Sequence, residues 1–362
     1  MGRKEQAEGK VLGLLVEATG SSDEATMPFW KESYYSLVLL EKILCQFPDI
    51  ILEKDLENIW EATCELLLHP HMWLRNRSNR LIALYITVVT DASREHHEKQ
   101  LGTFFLMKPS RLFMIAVSLC CQLEAQLSLD DAVSSRITQN LVSSICNMHS
   151  LKEQREYIDP HNYWSALGES EQSLFLKAFQ LLDSGKEKGI FLSLISGACN
   201  QSDQDDSKDL GFLLVSSLLK KMGKIALQKE DIQMGIVFNS FRLISSEISP
   251  DYCRRYASQM LPSLYKVSEG FAGKVISDDM KQLAQEVCDS IRNRLGNQEF
   301  IEVYNDMRKN LKGKREKRKR EEKVMAVVNP ERHAKRKLRI AAKHRVHKKR
   351  KMMTMKMGRW LH

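Results

Sequence analysis

His69 and His71 stand two apart in LLLHPHMWLRNRSNRLIALY (66–85), beside Trp73, Arg75, Arg77 and Arg80. Imidazoles so spaced can begin a metal site, and tryptophan with arginine can contact nucleic acid. A zinc centre needs three or four ligands, and no further residue of suitable type stands at metal spacing nearby. The two histidines instead flank Pro70, which reads as a turn between helices.

Other candidate chemistry is equally sparse. The eight cysteines (45, 64, 120, 121, 146, 199, 253 and 288) sit in apolar, helix-like runs with no C-x-x-C pair. That pattern reads as buried free thiols in a reducing compartment, with vicinal Cys120 and Cys121 serving packing rather than a strained disulfide. DSGKEKG (183–189) and KMGKIA (221–226) contain Gly-Lys, but no Ser or Thr follows and no strand leads in, so neither is a phosphate loop. His96 and His97 lie in polar SREHHEK, a solvated loop or helix end. No catalytic constellation emerges, so the expectation is a protein that is not an enzyme and uses no cofactor, metal or small-molecule substrate.

The surrounding elements are helices. SYYSLVLLEKILCQF (33–47) and KDLENIWEATCELLLH (54–69) have apolar residues at three- and four-residue steps, with Pro48 and Pro70 as stops. In the next segment Leu74, Leu81, Ile82 and Tyr85 share one face. The same pattern recurs to Leu295, without alternating strand patterns. A proline turn, a Leu-Arg pair and a small residue three positions beyond the Arg form a HEAT-type spacing. Pro70, Trp73, Leu74, Arg75 and Ser78 occupy it here, with Arg75 able to bridge to an acid of the next repeat. The predicted fold is therefore all-α: an α-solenoid of degenerate HEAT-like, armadillo-like repeats ending in a long basic helix or tail.

The 362-residue chain divides by charge. Residues 308–362 hold 23 Lys and Arg against four Asp and Glu, a balance of +19, so residues 1–307 sum to −10 in a chain of net +9. The predicted organisation is a polar segment 1–32, repeats over 33–200, a polar linker 201–209, repeats over 210–307 and a basic tail 308–362. The longest apolar runs, such as LFMIAVSLCC (112–121), are too short to span a bilayer. The polar start lacks a signal-peptide core, so a soluble, non-secreted protein without membrane association is expected.

The tail's candidate binding or localisation cations cluster as Lys312, Lys314, Arg315, Lys317, Arg318, Lys319 and Arg320, then Lys335, Arg336, Lys337 and Arg339, then Lys343, Arg345, Lys348, Lys349, Arg350 and Lys351. Pro330 should break one long helix starting near Glu299 from a second with a thin apolar stripe of Leu338, Ile340, Ala341, Ala342 and Val346. A concentrated positive field seeks polyanions. With Trp360 the lone aromatic of the final stretch, base stacking and sequence-specific readout are not expected. Two uses stay open together: phosphate contact with RNA, and a nuclear localisation signal read by import receptors.

Segments 145–184, 218–228, 264–293 and 320–345, with HPHMWLR (69–75) upstream in the matching order, closely resemble the C-terminal end of the DRIM family. This is the U3 small nucleolar RNA-associated protein 20 family, and the likeness is strongest to plant members. It runs from about residue 33 onward and is densest after 140. The resemblance implies a scaffold of the small-subunit processome in the nucleolus. Its partners would be pre-rRNA, the U3 snoRNP and processome proteins, in the cleavages that release 18S rRNA. Family members are several times longer, so the chain is expected to represent only the C-terminal portion, as a fragment or a short gene product. The competing expectation is a helical-repeat nuclear transport or chromatin adaptor whose tail serves only localisation.

Overall fold

A computed structural model describes residues 30–95, 104–125, 129–153, 164–182, 189, 192, 210–273 and 275–358. It is all-α, with no strand among those residues. The anticipated linker 201–209, the His96–His97 pair, Cys199 and most of 183–189 lie outside them.

The chain forms two compact units, Met1–Val303 and Tyr304–His362. In the first, the helices are α1 (Trp30–Gln46), α2 (Glu57–Glu65), α3 (Met72–Glu95), α4 (Pro109–Glu124) and α5 (Asp131–Glu153). They continue with α6 (Glu169–Leu181), α7 (Leu210–Gln228), α8 (Asp231–Glu247), α9 (Pro250–Ser268) and α10 (Asp278–Leu295). Packing falls into two rows. Helices α1, α3, α5, α8 and α10 touch in succession, and α4, α7 and α9 form the second row with α6 against α4. Rows join through hairpins α2–α3, α4–α5, α7–α8 and α9–α10, the two-layer stacking expected of helical repeats.

The core follows the apolar faces. Leu74, Leu81, Ile82 and Tyr85 are all buried, with Trp60, Phe113, Phe175, Phe179, Phe238 and Phe241. Trp60 satisfies its indole N–H on the Ile51 carbonyl oxygen at 3.1 Å, so a large apolar group is buried without an orphaned donor. Between α7 and α9, a Cβ added at Gly223 would meet Ser263 Oγ at 3.3 Å; glycine there lets the two helices approach. Gly223 of KMGKIA is thus interior packing while the Lys224 that follows it is exposed, and Lys221 is buried against Glu124 at 2.5 Å. Gly296, at φ 85°, closes α10 through its N–H to the Arg292 carbonyl oxygen (2.8 Å).

Two element boundaries depart from the periodicity. Residues 54–69 do not form one helix: 3-10 turns at Lys54–Leu56 and Leu66–Leu68 bracket α2. The tighter final turn places both Leu66 and Leu67 in the core before the chain reverses. Helix α1 also starts three residues before Ser33, where Trp30 stacks on His71.

A buried polar chain binds three helices and a turn. Asn79 on α3 donates to Gln122 Oε1 on α4 (3.0 Å), and Gln122 Nε2 donates to the Leu67 carbonyl oxygen (2.6 Å). Asn140 on α5 donates to the Asn79 carbonyl oxygen (2.9 Å). Such interior polar bonds set the relative register of helices that apolar contacts alone would let slide.

Among the described residues the cysteines are free, and Cys45 is exposed rather than buried as the apolar runs had suggested. Burial pushes the Cys64, Cys146 and Cys288 thiols up to about 12 and Cys253 to about 11, and it also raises Cys120 and Cys121. Thiolate is the reactive form, so these sites should alkylate slowly while exposed Cys45 reacts fast. Timed labelling followed by peptide mapping checks this, with Cys45→Ser removing the fast adduct from α1.

Candidate nucleic-acid interface

The turn that carries the histidines is built from its own groups. Backbone N–H of His71 donates to His69 Nδ1 at 3.0 Å, and that of Trp73 donates to His71 Nδ1 at 3.3 Å. Each imidazole thus does what Asn or Asp does at a helix entrance, accepting an N–H two residues on. Among the described residues no group of three or more His, Cys, Asp or Glu is placed to hold a metal ion.

Arg75 is buried, and its Nη1 donates to the carbonyl oxygens of His69, at 2.5 Å, and Pro70. It fastens the turn that precedes its own helix. Leu74 and Ser78 are buried, Trp73 is half exposed, and Pro70 sits at the exposed apex. Bridges between helices come from neighbours: Arg77 and Arg80 of α3 both pair with Glu41 of α1, the latter at 2.6 Å, and Arg111 of α4 pairs with Glu61 of α2 at 2.9 Å. Sequence reading missed Asn79, Gln122 and Asn140, since polar residues on a helix look solvated until a neighbouring helix covers them.

The second unit presents a different surface. It holds the C-terminal part of α11 (Asn297–Val328) and α12 (Pro330–Gly358). Asn329 separates the two: its Oδ1 accepts the Arg332 N–H at 3.2 Å, while Pro330 takes the first helical position, where a missing N–H costs nothing. Asn329→Ala should destabilise the start of α12 by about 1 kcal/mol. Faster amide exchange at residues 331–335, with the repeats unchanged, is the measurement.

Lys312, Lys314, Arg315, Lys317, Arg318, Lys319 and Arg320 all lie on α11 and are exposed. Lys335, Arg336, Lys337, Arg339 and Arg345 are exposed on α12; Lys343, Lys348, Lys349, Arg350 and Lys351 belong to that helix, and their side chains lie outside the description. A helix rises about 1.5 Å per residue, so the 312–320 cluster covers roughly 12 Å and recurs every three to four residues on each face. Leu338, Ile340 and Val346 are exposed, so the thin apolar stripe is not consumed by packing. No Phe, Tyr or Trp lies between Tyr304 and the end of α12. The arrangement suits a phosphate backbone and lacks the large aromatic platforms on which bases stack best.

Among the described residues, no helix is long and apolar enough to cross a membrane. No curated protein matches the chain. Residues 229–354 match the family described as small subunit processome component 20 homolog, C-terminal. The match runs from the start of α8 almost to the end of α12 and includes 264–293 and 320–345, two of the resembling segments; 145–184 and 218–228 fall outside it. The chain therefore carries a region related to the C-terminal part of small subunit processome component 20.

Proposed function

We propose that the chain is a non-enzymatic assembly factor of the small-subunit processome, acting in the nucleolus on U3-dependent pre-rRNA processing. The helical repeats dock processome proteins, and α11 and α12 hold pre-ribosomal RNA through its phosphates. One coincidence carries the reading: the family match covers the stretch where the exposed cation clusters of both basic helices lie. Lysine and arginine on a solvated helix gain by releasing the counterions condensed on RNA, which gives strong, salt-sensitive and sequence-tolerant binding. Import receptors read the same clusters, so one cationic field both delivers the protein and holds its RNA.

Crosslinking of RNA to the tagged chain in cells, compared with a chain lacking residues 308–362, tests this. Crosslinks on pre-18S sequence or U3 that vanish with the tail are expected. A nucleolar protein without such crosslinks would reduce the tail to an address and leave the repeats as a protein-binding adaptor. Exclusion from the nucleolus with the tail intact would overturn the assignment.

A further inference from the structure

Cations also gather on the repeats, on the row formed by α1, α3 and α5. Arg77 of α3 pairs with Glu41 of α1 and donates from Nη2 to the Tyr34 hydroxyl oxygen at 3.0 Å. Arg80 holds the other oxygen of the same carboxylate at 2.6 Å. Half-buried Arg136 of α5 stands near both and, among the described residues, makes no ion pair. Burial, then the charges of Arg80 and Arg77, hold its guanidinium below the ordinary range, and Glu41 and Asp130 offset this only in part. Both acids are engaged elsewhere: Glu41 is shared by two arginines, and Asp130 Oδ1 accepts the Val133 N–H at 2.7 Å at the entrance of α5. A surplus guanidinium held among like charges costs the fold, and an incoming anion would relieve it.

The neighbouring rings say which anion. Trp73 lies one turn before Arg77 on α3 and is 48% exposed. Trp30 meets it edge-on at 5.4 Å and Tyr34 tilts against it at 5.5 Å, so its plane is held while much of its surface faces solvent. Tyr35, set against Tyr34 at 5.6 Å, is 67% exposed. From Trp73 to Arg80 the helix rises about 10 Å, so rings and guanidiniums share one patch. An acidic protein segment would engage the arginines and leave the rings idle. Single-stranded RNA engages both, because a guanidinium grips phosphate through two N–H donors and unpaired bases stack on tryptophan and tyrosine.

We infer that Arg80, Arg136, Trp73 and Tyr35 form an RNA site on the repeats themselves, taking single-stranded RNA by its phosphates on the arginines and by its bases on the two rings. The inference stands apart from the phosphate reading of the tail, which has no Phe, Tyr or Trp between Tyr304 and the end of α12. The tail responds to charge, whereas this patch responds to bases as well.

Fluorescence anisotropy on the full-length chain tests the site, with a short single-stranded RNA and an abasic strand of equal length and charge. The parent chain should bind the RNA at least about 10-fold more tightly than the abasic strand. Trp73→Leu and Tyr35→Leu keep apolar volume and remove the ring, so together they should bring that ratio close to one. Tyr35→Leu alone, at the more exposed ring, should reduce it several-fold. Arg80→Gln with Arg136→Gln should weaken both strands and lower the salt slope by about 1. Glutamine at Lys317, Arg318, Lys319 and Arg320 should weaken both strands alike and leave the ratio intact, so failure of the tail reading and failure of this one give different results. Arg136→Gln should hold or raise the denaturant midpoint, since it removes a crowded charge; a lower midpoint with RNA affinity unchanged would make the arginine structural and overturn the site. Equal affinity of the parent chain for both strands, or a ratio that survives loss of both rings, would also overturn it. Equal affinity together with a glutamate-rich peptide whose binding is lost in the arginine variant would overturn it in favour of an acidic protein partner.

Discussion

Replacing Lys317, Arg318, Lys319 and Arg320 with glutamine weakens binding to structured RNA by about 10³-fold at ~0.1 M salt. The slope of log affinity against log salt falls by about 3. These residues are exposed and lie on consecutive positions of one helix, so the substitutions remove charge without removing packing. Neutralising Lys335, Arg336, Lys337 and Arg339 on α12 has an effect of the same size, because phosphate contacts contribute through counterion release rather than base identity. Fluorescence anisotropy across a salt series, on two RNAs of unrelated sequence, reads both effects. A loss below 10-fold with an unchanged slope would remove RNA contact from the tail and leave localisation as its role. Circular dichroism adds a second readout. Like charges at i, i+4 repel, so RNA or high salt raises the helicity of α11 and α12, and the glutamine variants have a higher helicity before RNA is added.

Arg75→Ala lowers the stability of the repeats by about 3 kcal/mol. The loss has two parts: two charge-assisted bonds from Nη1 disappear, and the carbonyl oxygen of buried His69 loses its donor, while that of Pro70 at the exposed apex can turn to water. Arg75→Lys recovers little of it, because the lysine ammonium stands one bond short of Nη1, the nitrogen that donates to both carbonyls. His71→Ala costs about 1 kcal/mol, since it removes one cap and the stacking partner of Trp30. Denaturant midpoints followed by far-ultraviolet circular dichroism separate the variants, and addition of zinc shifts none of them.

Much of the architecture was legible because helix amphipathicity is a local signal. Leu74, Leu81, Ile82 and Tyr85 predicted a buried face from spacing alone, and all four are buried. Pro330 marked the break between the two basic helices for a reason intrinsic to its ring, and the capping Asn329 stands beside it. The uneven charge distribution needed only counting. The 54–69 segment was misread as one helix because its leucines fit either a continuous α pattern or a tightened final turn. Packing of Leu66 and Leu67 against the core selected the second.

What sequence determined by itself was therefore the helical class, the placing of turns and the segregation of positive charge into residues 308–362, each set by steric and electrostatic terms acting within a few residues. Tertiary structure alone decided which polar groups matter. Asn79, Gln122 and Asn140 become a connected chain only when α3, α4 and α5 meet, and Arg75 becomes the clasp of its turn only when α3 folds back beside α2. It also decided that Tyr35, Leu39 and Ile43, indistinguishable by pattern from core residues, face outward: α3 covers one side of α1, and the described residues supply no helix for the other. Such long-range contacts depend on which helices become neighbours, and no periodicity within a single helix encodes that.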